Sequence, residues 1–232
     1  MTLPVQAVTF DLWQTLMHDT KEQAQRRAQL RAERMHQALA GAGIEISREE
    51  VETACRDVWQ TWQTTYWDKL IDPGFDAQLE WLRQRFGGPE DAFELRGELR
   101  AGYVEPIFAI PPRLDHEAIT ALTRLEARGL KLGLICNTSV TPGFALRRLL
   151  AGWGLDRLLT VQLFSDELGI RKPAPEVFRE AARQLEVDVS AMLHAGDRAD
   201  VDVQGALDAG ARAVLVDPDM PLSKLVVTIT SS

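Results

Sequence analysis

Short, isolated apolar runs punctuate the chain at Ala7 to Phe10, Leu132 to Cys136, Leu159 to Phe164, Met192 to Ala195 and Ala213 to Val216. Their length and isolation suit strands buried on both faces. The stretches between the later runs carry a helical period. Leu114 to Arg128 places Leu114, Ala118, Ala121, Leu122 and Leu125 at helical spacing and stops at Gly129. Pro142 to Ala151, Glu176 to Leu185 and Val203 to Ala209 repeat the scheme. Strands alternating with helices predict an α/β domain on a parallel sheet with right-handed crossovers, whose ligands bind at the carboxyl ends of the strands.

From about Asp19 to Phe108 the alternation lapses into helical periodicity with no convincing strand, which reads as an inserted domain of three to four helices. Ala24, Ala28, Ala32, Met35 and Leu39 form one stripe, with Arg26, Arg27, Arg31 and Arg34 largely off it, so this helix is expected to pack on one side and be solvated on the other. Gly41 and Gly43 end it. Trp59, Trp62 and Tyr66 fall at helical spacing, and Leu79, Leu82 and Phe86 begin another stripe beside Trp81. The aromatic stripe is read as core, because burying one aromatic contributes about 2 to 3 kcal/mol.

Composition narrows the function classes. The 232 residues, 45% hydrophobic and 26% charged, suffice for one substantial core and a smaller accessory domain. With 26 basic against 34 acidic residues, the formal charge of -8 provides no basic field, so neither nucleic acid nor a membrane is expected as a partner. Cys55 and Cys136 are too few and too far apart for a disulfide framework or a zinc cluster and suit a reducing compartment. Met1 to Phe10 has no basic start and no long apolar stretch, so a cytoplasmic location is expected. Monomer and homodimer both remain open.

Chemistry concentrates at three places. Asp11 follows Val8-Thr9-Phe10 and precedes Leu12-Trp13-Gln14-Thr15-Leu16, which delivers a carboxylate to a strand end beside a turn, a placement that suits a nucleophile. Gly196-Asp197 closes the fourth apolar run, and Asp200 and Asp202 follow before the helix that ends at Gly210. Taken singly, each aspartate fits a turn or a helix cap. Together, two strand ends bring Asp11 and Asp197 to one rim, where they repel unless a hard dication such as magnesium lies between them. Lys172 precedes Pro173-Ala174-Pro175-Glu176, where a proline opens the next helix, and reads as a fixed ammonium that keeps Asp11 ionised and meets a phosphate oxygen.

These strings resemble, in order, the motifs of the haloacid dehalogenase-like hydrolases. The run Gly169-Ile170-Arg171-Lys172-Pro173-Ala174-Pro175-Glu176-Val177-Phe178 is similar to the lysine motif, and Gly196-Asp197 to Gly210 to the acidic motif. The resemblance covers Val5 to about Asp217. It implies a Rossmann-like, doubly wound parallel sheet core, residues 1–18 and 109–232, with an inserted helical cap, residues 19–108. It also implies a small phosphorylated substrate, Asp11 as the nucleophile that forms an aspartyl phosphate, and Lys172 as its charge partner. Mg2+ would be held by Asp11, the backbone carbonyl of Trp13, Asp197 and Asp202, with Asp200 a second candidate for the last acidic role. Asn137 and Cys136 occupy the strand-end motif Leu134-Ile135-Cys136-Asn137-Thr138-Ser139.

Two positions depart from that pattern. Trp13 stands where phosphatases of this family usually place a second aspartate, and an indole N–H cannot transfer a proton. Losing a general acid costs about 10² to 10⁴ in rate, which catalysis can survive, and His18 or Asp19 are candidate substitutes. Cys136 stands where serine or threonine is usual, so Asn137 and backbone N–H groups would carry the phosphate contact, with Thr138 a candidate hydroxyl donor. Cys136 itself reads as a small core residue before it reads as a nucleophile. An aromatic residue at the Trp13 position also occurs in the metal-independent 2-haloacid dehalogenases, which take up halide with a cap arginine. Arg26, Arg27, Arg31 and Arg34 all qualify, yet those enzymes replace the metal-binding aspartate that Asp197 retains. His194 reads as a packed sheet residue. A magnesium-dependent phosphohydrolase is therefore the leading expectation, a dehalogenase the second, and a catalytically weakened ligand-binding or regulatory protein the third.

Overall fold

The structure, a computed structural model, describes residues 4–230. The chain begins with β1 (Ala7–Phe10) and β2 (Met17–His18) and then runs through α1 (Lys21–Gly41), α2 (Arg48–Thr65), α3 (Phe75–Arg85), α4 (Phe93–Val104) and α5 (Pro106–Ala109). It returns through β3 (Arg113–Leu114), α6 (Ala118–Glu126), β4 (Lys131–Cys136), α7 (Gly143–Gly152), β5 (Val161–Phe164) and α8 (Ser165–Leu168). It finishes with α9 (Pro175–Gln184), β6 (Met192–Gly196), α10 (Gln204–Ala209), β7 (Arg212–Leu215) and α11 (Leu222–Thr230).

Five parallel strands form one sheet in the order β5-β4-β1-β6-β7, with Phe10 in register with Leu134 on one side and Ala195 on the other. Helices cover both faces, and β1 and most of β4 are buried. Ala7, Ile135 and Met192 belong to the core shared with α9 and α10, whereas Val8, Leu134 and Ala195 belong to the core shared with α6, α7 and α11. That second core runs on into the helical segment, so the molecule is an α/β, Rossmann-like sheet with helices on both faces. Among the described residues no helix is long and apolar enough to cross a membrane.

Two elements differ from the periodicity. Leu114, expected to open a helix, lies in β3 and pairs antiparallel with Met17 of β2, while the helix starts only at Ala118. The ribbon is a long-range pairing, fastened by Asp115 N–H to the Leu16 carbonyl at 2.9 Å, and local spacing carries no trace of it. Before α10, the chain widens into a π-turn over Ala199–Val203. Such wide turns are frequent at functional sites.

In the helical segment, capping boxes start α1 at Thr20 with Gln23 and α2 at Ser47 with Glu50. The buried face of α1 is rotated from the expected one: Ala24 and Ala28 are exposed, and Arg27 and Arg31 are buried. Backbone carbonyls make this possible. Arg27 donates to the Ile110 carbonyl at 2.9 Å and pairs with Asp19, and Arg31 Nε donates to the Tyr103 carbonyl at 2.9 Å. Apolar periodicity cannot anticipate an arginine whose donors are matched by carbonyls of a distant helix. The aromatic stripe of α2 is core only in part: Trp62 is buried, whereas Trp59 is 47% exposed.

Candidate active site

Parallel pairing puts the carboxyl ends of β1, β4 and β6 side by side, so the residues just beyond them share one rim. Asp11 follows β1 and donates its N–H to the Ala195 carbonyl of β6 at 2.9 Å. Asn137 follows β4, Asp197 follows β6, and Lys172 comes from the loop after α8. The Lys172 ammonium fills all three of its donor positions: 2.6 Å to Asp11 Oδ1, 2.7 Å to Asp202 Oδ1 and 2.6 Å to the Ile135 carbonyl. Asn137 sets where that ammonium can sit. Its side-chain amide donates to the Lys172 carbonyl at 2.9 Å and accepts from the Lys172 N–H at 2.8 Å. The side chain thereby clasps the lysine backbone like a neighbouring strand.

The π-turn explains Asp202. It bends the carboxylate back beneath the end of β6, where Oδ2 accepts from the Arg198 N–H at 3.0 Å. Only glycine tolerates this approach, since a Cβ on Gly196 would sit 2.4 Å from the Asp202 carboxyl carbon. Asp200 turns outward instead and pairs with Arg198 at the surface, so of the two candidates for the last acidic role only Asp202 reaches the rim. One carboxylate oxygen each from Asp11, Asp197 and Asp202 lie within 4.8 Å of one another. Two oxygens bound to one magnesium at about 2.1 Å are at most about 4.2 Å apart, so the cluster needs only a small adjustment or one bridging water. Three ionised carboxylates against one ammonium leave two negative charges, which suits a hard dication.

The electrostatics follow from burial. Desolvation pushes Asp11 up to about 6, against the pull of Lys172, and the charges of Asp202 and Asp197 add to the rise. Burial also works against the Asp202 carboxylate, but Lys172 and His194 outweigh it and hold the group below the usual carboxylate range. The Lys172 ammonium is likewise disfavoured by burial and rescued by Asp11 and Asp202, which keep it above the ordinary lysine range. Asp197, half-buried, is raised by desolvation and by Asp202. Cys136 is 1% exposed, and burial followed by the Asp11 charge pushes its thiol well above normal. It stays protonated and is a core residue at the strand end rather than a nucleophile.

Several expected side chains are engaged elsewhere. The Thr138 hydroxyl faces Ser165 Oγ at 3.0 Å and Asp72 at 3.4 Å, and so is drawn toward the helical segment. His18 contacts Asp115 at 2.9 Å in the β2–β3 ribbon, and Asp19 is taken by Arg27. Trp13 packs against the core.

Other participants escaped the sequence reading. His194, fully buried in β6, touches Thr9 Oγ1 through Nδ1 at 2.9 Å and Asp202 Oδ1 through Nε2 at 3.4 Å, so it steadies an acidic side chain besides packing the sheet. A histidine inside an otherwise apolar strand, three residues before Asp197, was the available signal. Asp72 and Arg171 had none. Asp72 reaches from the helical segment to Arg171 Nη1 at 2.8 Å and Ser165 Oγ at 2.7 Å, while Arg171 also donates to the Thr138 carbonyl at 2.6 Å. The two loops that carry Asn137 and Lys172 are thereby tied to the insert.

Comparison with known proteins agrees with this geometry. The profile of the haloacid dehalogenase-like hydrolases matches residues 5–210. A glyceraldehyde 3-phosphate phosphatase of Methanopyrus kandleri is 30% identical over 219 residues, 91% of this chain and 84% of that protein. A phosphoserine phosphatase of Thermus thermophilus is 34% identical over 165 residues, 65% of this chain and 62% of that protein. Among solved structures, a 2-haloacid dehalogenase from Pseudomonas syringae pv. Tomato DC3000 superposes with a TM-score of 0.68 at 24% identity, covering 98% of each chain. A HAD phosphatase from Thermococcus onnurineus superposes at 0.62 and 18% identity, covering 97% of this chain and 98% of that one. At such identities the superpositions establish the fold, whereas the profile spans most of the chain. This protein belongs to the haloacid dehalogenase-like hydrolase family and is a hydrolase.

Proposed function

We propose that the protein is a magnesium-dependent phosphohydrolase that cleaves a small phosphorylated metabolite through an aspartyl phosphate on Asp11. The observation that carries this reading is the cluster itself: Lys172 bonds both Asp11 and Asp202, and Asp197 lies in the same group of oxygens. The three carboxylates fit magnesium; Asp11, Asp197 and the Trp13 carbonyl would hold the ion, with Asp202 completing the acidic set. When bound, the ion supplies positive charge that screens an anionic substrate from an anionic nucleophile. The phosphatase names of the two relatives point the same way. The helical segment, residues 19–108, acts as the cap over the core of residues 1–18 and 109–232. The free thiols of Cys55 and Cys136 suit the cytoplasm.

The chain's own groups divide the work. Lys172 keeps Asp11 ionised so that a carboxylate oxygen attacks phosphorus as the bond to the leaving oxygen breaks; water then attacks the same phosphorus, which releases phosphate and returns the Asp11 carboxylate. Asn137 holds Lys172 in place through its backbone and offers a remaining amide hydrogen to the phosphoryl group. Cys136 forms the apolar floor at the end of β4, and the loop through Thr138 supplies backbone N–H groups. With Trp13 at the acid position, substrates whose leaving group departs unprotonated are favoured. The test is phosphate release from a phosphometabolite panel with magnesium, and again with EDTA. Turnover that EDTA abolishes and Asp11→Asn eliminates supports the reading, whereas full activity of Asp11→Asn overturns it.

Trp13 keeps a second reading alive, hydrolysis of a 2-haloacid through an ester on Asp11. It predicts halide release from a 2-haloalkanoate in EDTA, measured by ion chromatography.

A further inference from the structure

Asp11 and Lys172 arrive on separate loops, and the helical insert is fastened to both. The loop of Asp11 runs into β2, which pairs with β3 where the insert leaves and rejoins the core. The loop of Lys172 meets the insert far in sequence from either junction, at the connection between α2 and α3. There the Asp72 N–H donates to the Gly169 carbonyl at 2.9 Å, the Arg171 N–H donates to the Leu70 carbonyl at 3.1 Å, and Ile71 bridges antiparallel to Ile170. The next amide faces the other way. The Lys172 N–H donates to Asn137 Oδ1 at 2.8 Å, so residues 169–172 form a short extended segment held by the insert on one edge and by Asn137 on the other.

One carboxylate oxygen of the insert gathers three core loops at a point. Asp72 Oδ2 accepts from Arg171 Nη1 at 2.8 Å, from Ser165 Oγ at 2.7 Å and from Thr138 Oγ1 at 3.4 Å, groups that belong to the lysine loop and to the ends of β5 and β4. Arg171 is held from a second side, because its guanidinium lies 4.5 Å from the centre of the Trp67 ring. The approach is tight. A Cβ on Gly74 would sit 2.9 Å from the Asp166 carbonyl oxygen, and Leu70 takes a φ of 62°, a conformation that a bulky side chain adopts only where its surroundings enforce it. A buried ion pair adds little net stability over two packed apolar groups, so what the pair contributes is direction.

We propose that Asp72 is a positioning residue for the reaction at Asp11: by holding Arg171 it fixes the segment that delivers Lys172, so the ammonium reaches Asp11 only while the insert is seated on the core. Lys172 tolerates little displacement, because its three bonds are 2.6 to 2.7 Å long and misplacing a reacting group by about 1 Å costs about 10²-fold in rate. Swinging the insert about β2 and β3 strips residues 70–72 from 169–171. The nucleophile then loses its charge partner, and an unseated insert leaves it silent.

The experiment compares the full-length protein with Asp72→Asn, with Asp72→Ala combined with Arg171→Met, and with Arg100→Leu. Arg100 crosses the same seam between the Phe75 and Phe144 rings and pairs with Asp76, so it holds the insert to α7 and not to the lysine segment. The first readout is amide hydrogen exchange at Lys172, whose N–H is bonded to Asn137 and not to the insert. Asp72→Asn and the double variant should lose protection at Lys172 together with Arg171, while Arg100→Leu keeps both protected. The second readout, which rests on the phosphohydrolase reading, is phosphate release with magnesium. Here kcat should fall about 10- to 100-fold in Asp72→Asn and stay low in the double variant although its urea stability recovers, with Arg100→Leu at the wild-type value. A purely structural role makes kcat follow stability, so recovery of kcat in the double variant overturns the proposal. Unchanged protection of Lys172 overturns it as well, and so does an equal loss in Arg100→Leu, which would mark a general loosening of the insert. If Asp72→Asn does not fold, the double variant carries both readouts. If no phosphometabolite releases phosphate, the phosphohydrolase reading fails by itself and the exchange at Lys172 decides this proposal.

Discussion

At the residue scale, the Lys172 ammonium links Asp11 to Asp202, and each neighbour makes a distinct prediction. Trp13→Asp restores a proton donor at the position where the family usually has one, and phosphate release under magnesium is expected to rise about 10²- to 10⁴-fold. Unchanged turnover would show that leaving-group protonation is not limiting. His194→Phe removes the partner of Thr9 and of Asp202 from a buried strand, so magnesium half-saturation of phosphate release should rise about 10-fold, the scale of an outer ligand contact. Gly196→Ala meets the Asp202 carboxyl and should abolish magnesium-induced stabilisation in a thermal melt.

The same residues set a pH signature. Asp11, pushed up to about 6, binds its proton more tightly folded than unfolded, so its contribution to metal-free stability is fully present at low pH and is lost as pH rises through 6. His194, held neutral by burial, contributes stability that is lost as pH falls through the ordinary histidine range, and Asp202 stability that is lost below the ordinary carboxylate range. Comparing wild type with Asp11→Asn isolates the first effect. In EDTA the melting temperature of wild type relative to the variant should fall between pH 4.5 and pH 7. A difference that stays flat would mean Asp11 is not desolvated in the folded state.

At the scale of elements, a buried ion pair crosses the seam between insert and sheet. Asp72 and Arg171, with side chains 1% and 11% exposed, cross from the insert to the loop just before Lys172. The Asp72 N–H donates to the Gly169 carbonyl at 2.9 Å and the Arg171 N–H to the Leu70 carbonyl at 3.1 Å, so backbone pairing reinforces the ion pair. Asp72→Ala leaves the Arg171 guanidinium buried without an anion, which destabilises by about 3 to 5 kcal/mol in urea denaturation. Asp72→Ala with Arg171→Met should recover a large part of that loss, because two well-packed apolar groups tolerate burial better than one unpaired charge. Local pattern gave most elements here. Isolated apolar runs mark the sheet strands to within a residue or two, and the Thr20 and Ser47 capping boxes mark helix starts. The ribbon of β2 with β3 and the π-turn under Gly196 stayed hidden, since each depends on a partner far away or on a carboxylate folding back.

Across the whole molecule, the chain by itself determined the alternation of strand and helix, the helical insert, and the identity and order of Asp11, Lys172 and Asp197, because strand burial and rim chemistry leave marks on neighbouring residues. Tertiary structure alone decided which aspartate joins them, with Asp202 turned in and Asp200 turned out. It also decided that Thr138 and Asn137 serve the loops, and that Arg27 and Arg31 are buried against backbone carbonyls. The physical reason is common to all of them. A periodic pattern reports how much apolar surface an element hides, whereas the direction of a polar side chain is set by whichever donor or acceptor, often a hundred residues away, satisfies it once water is excluded.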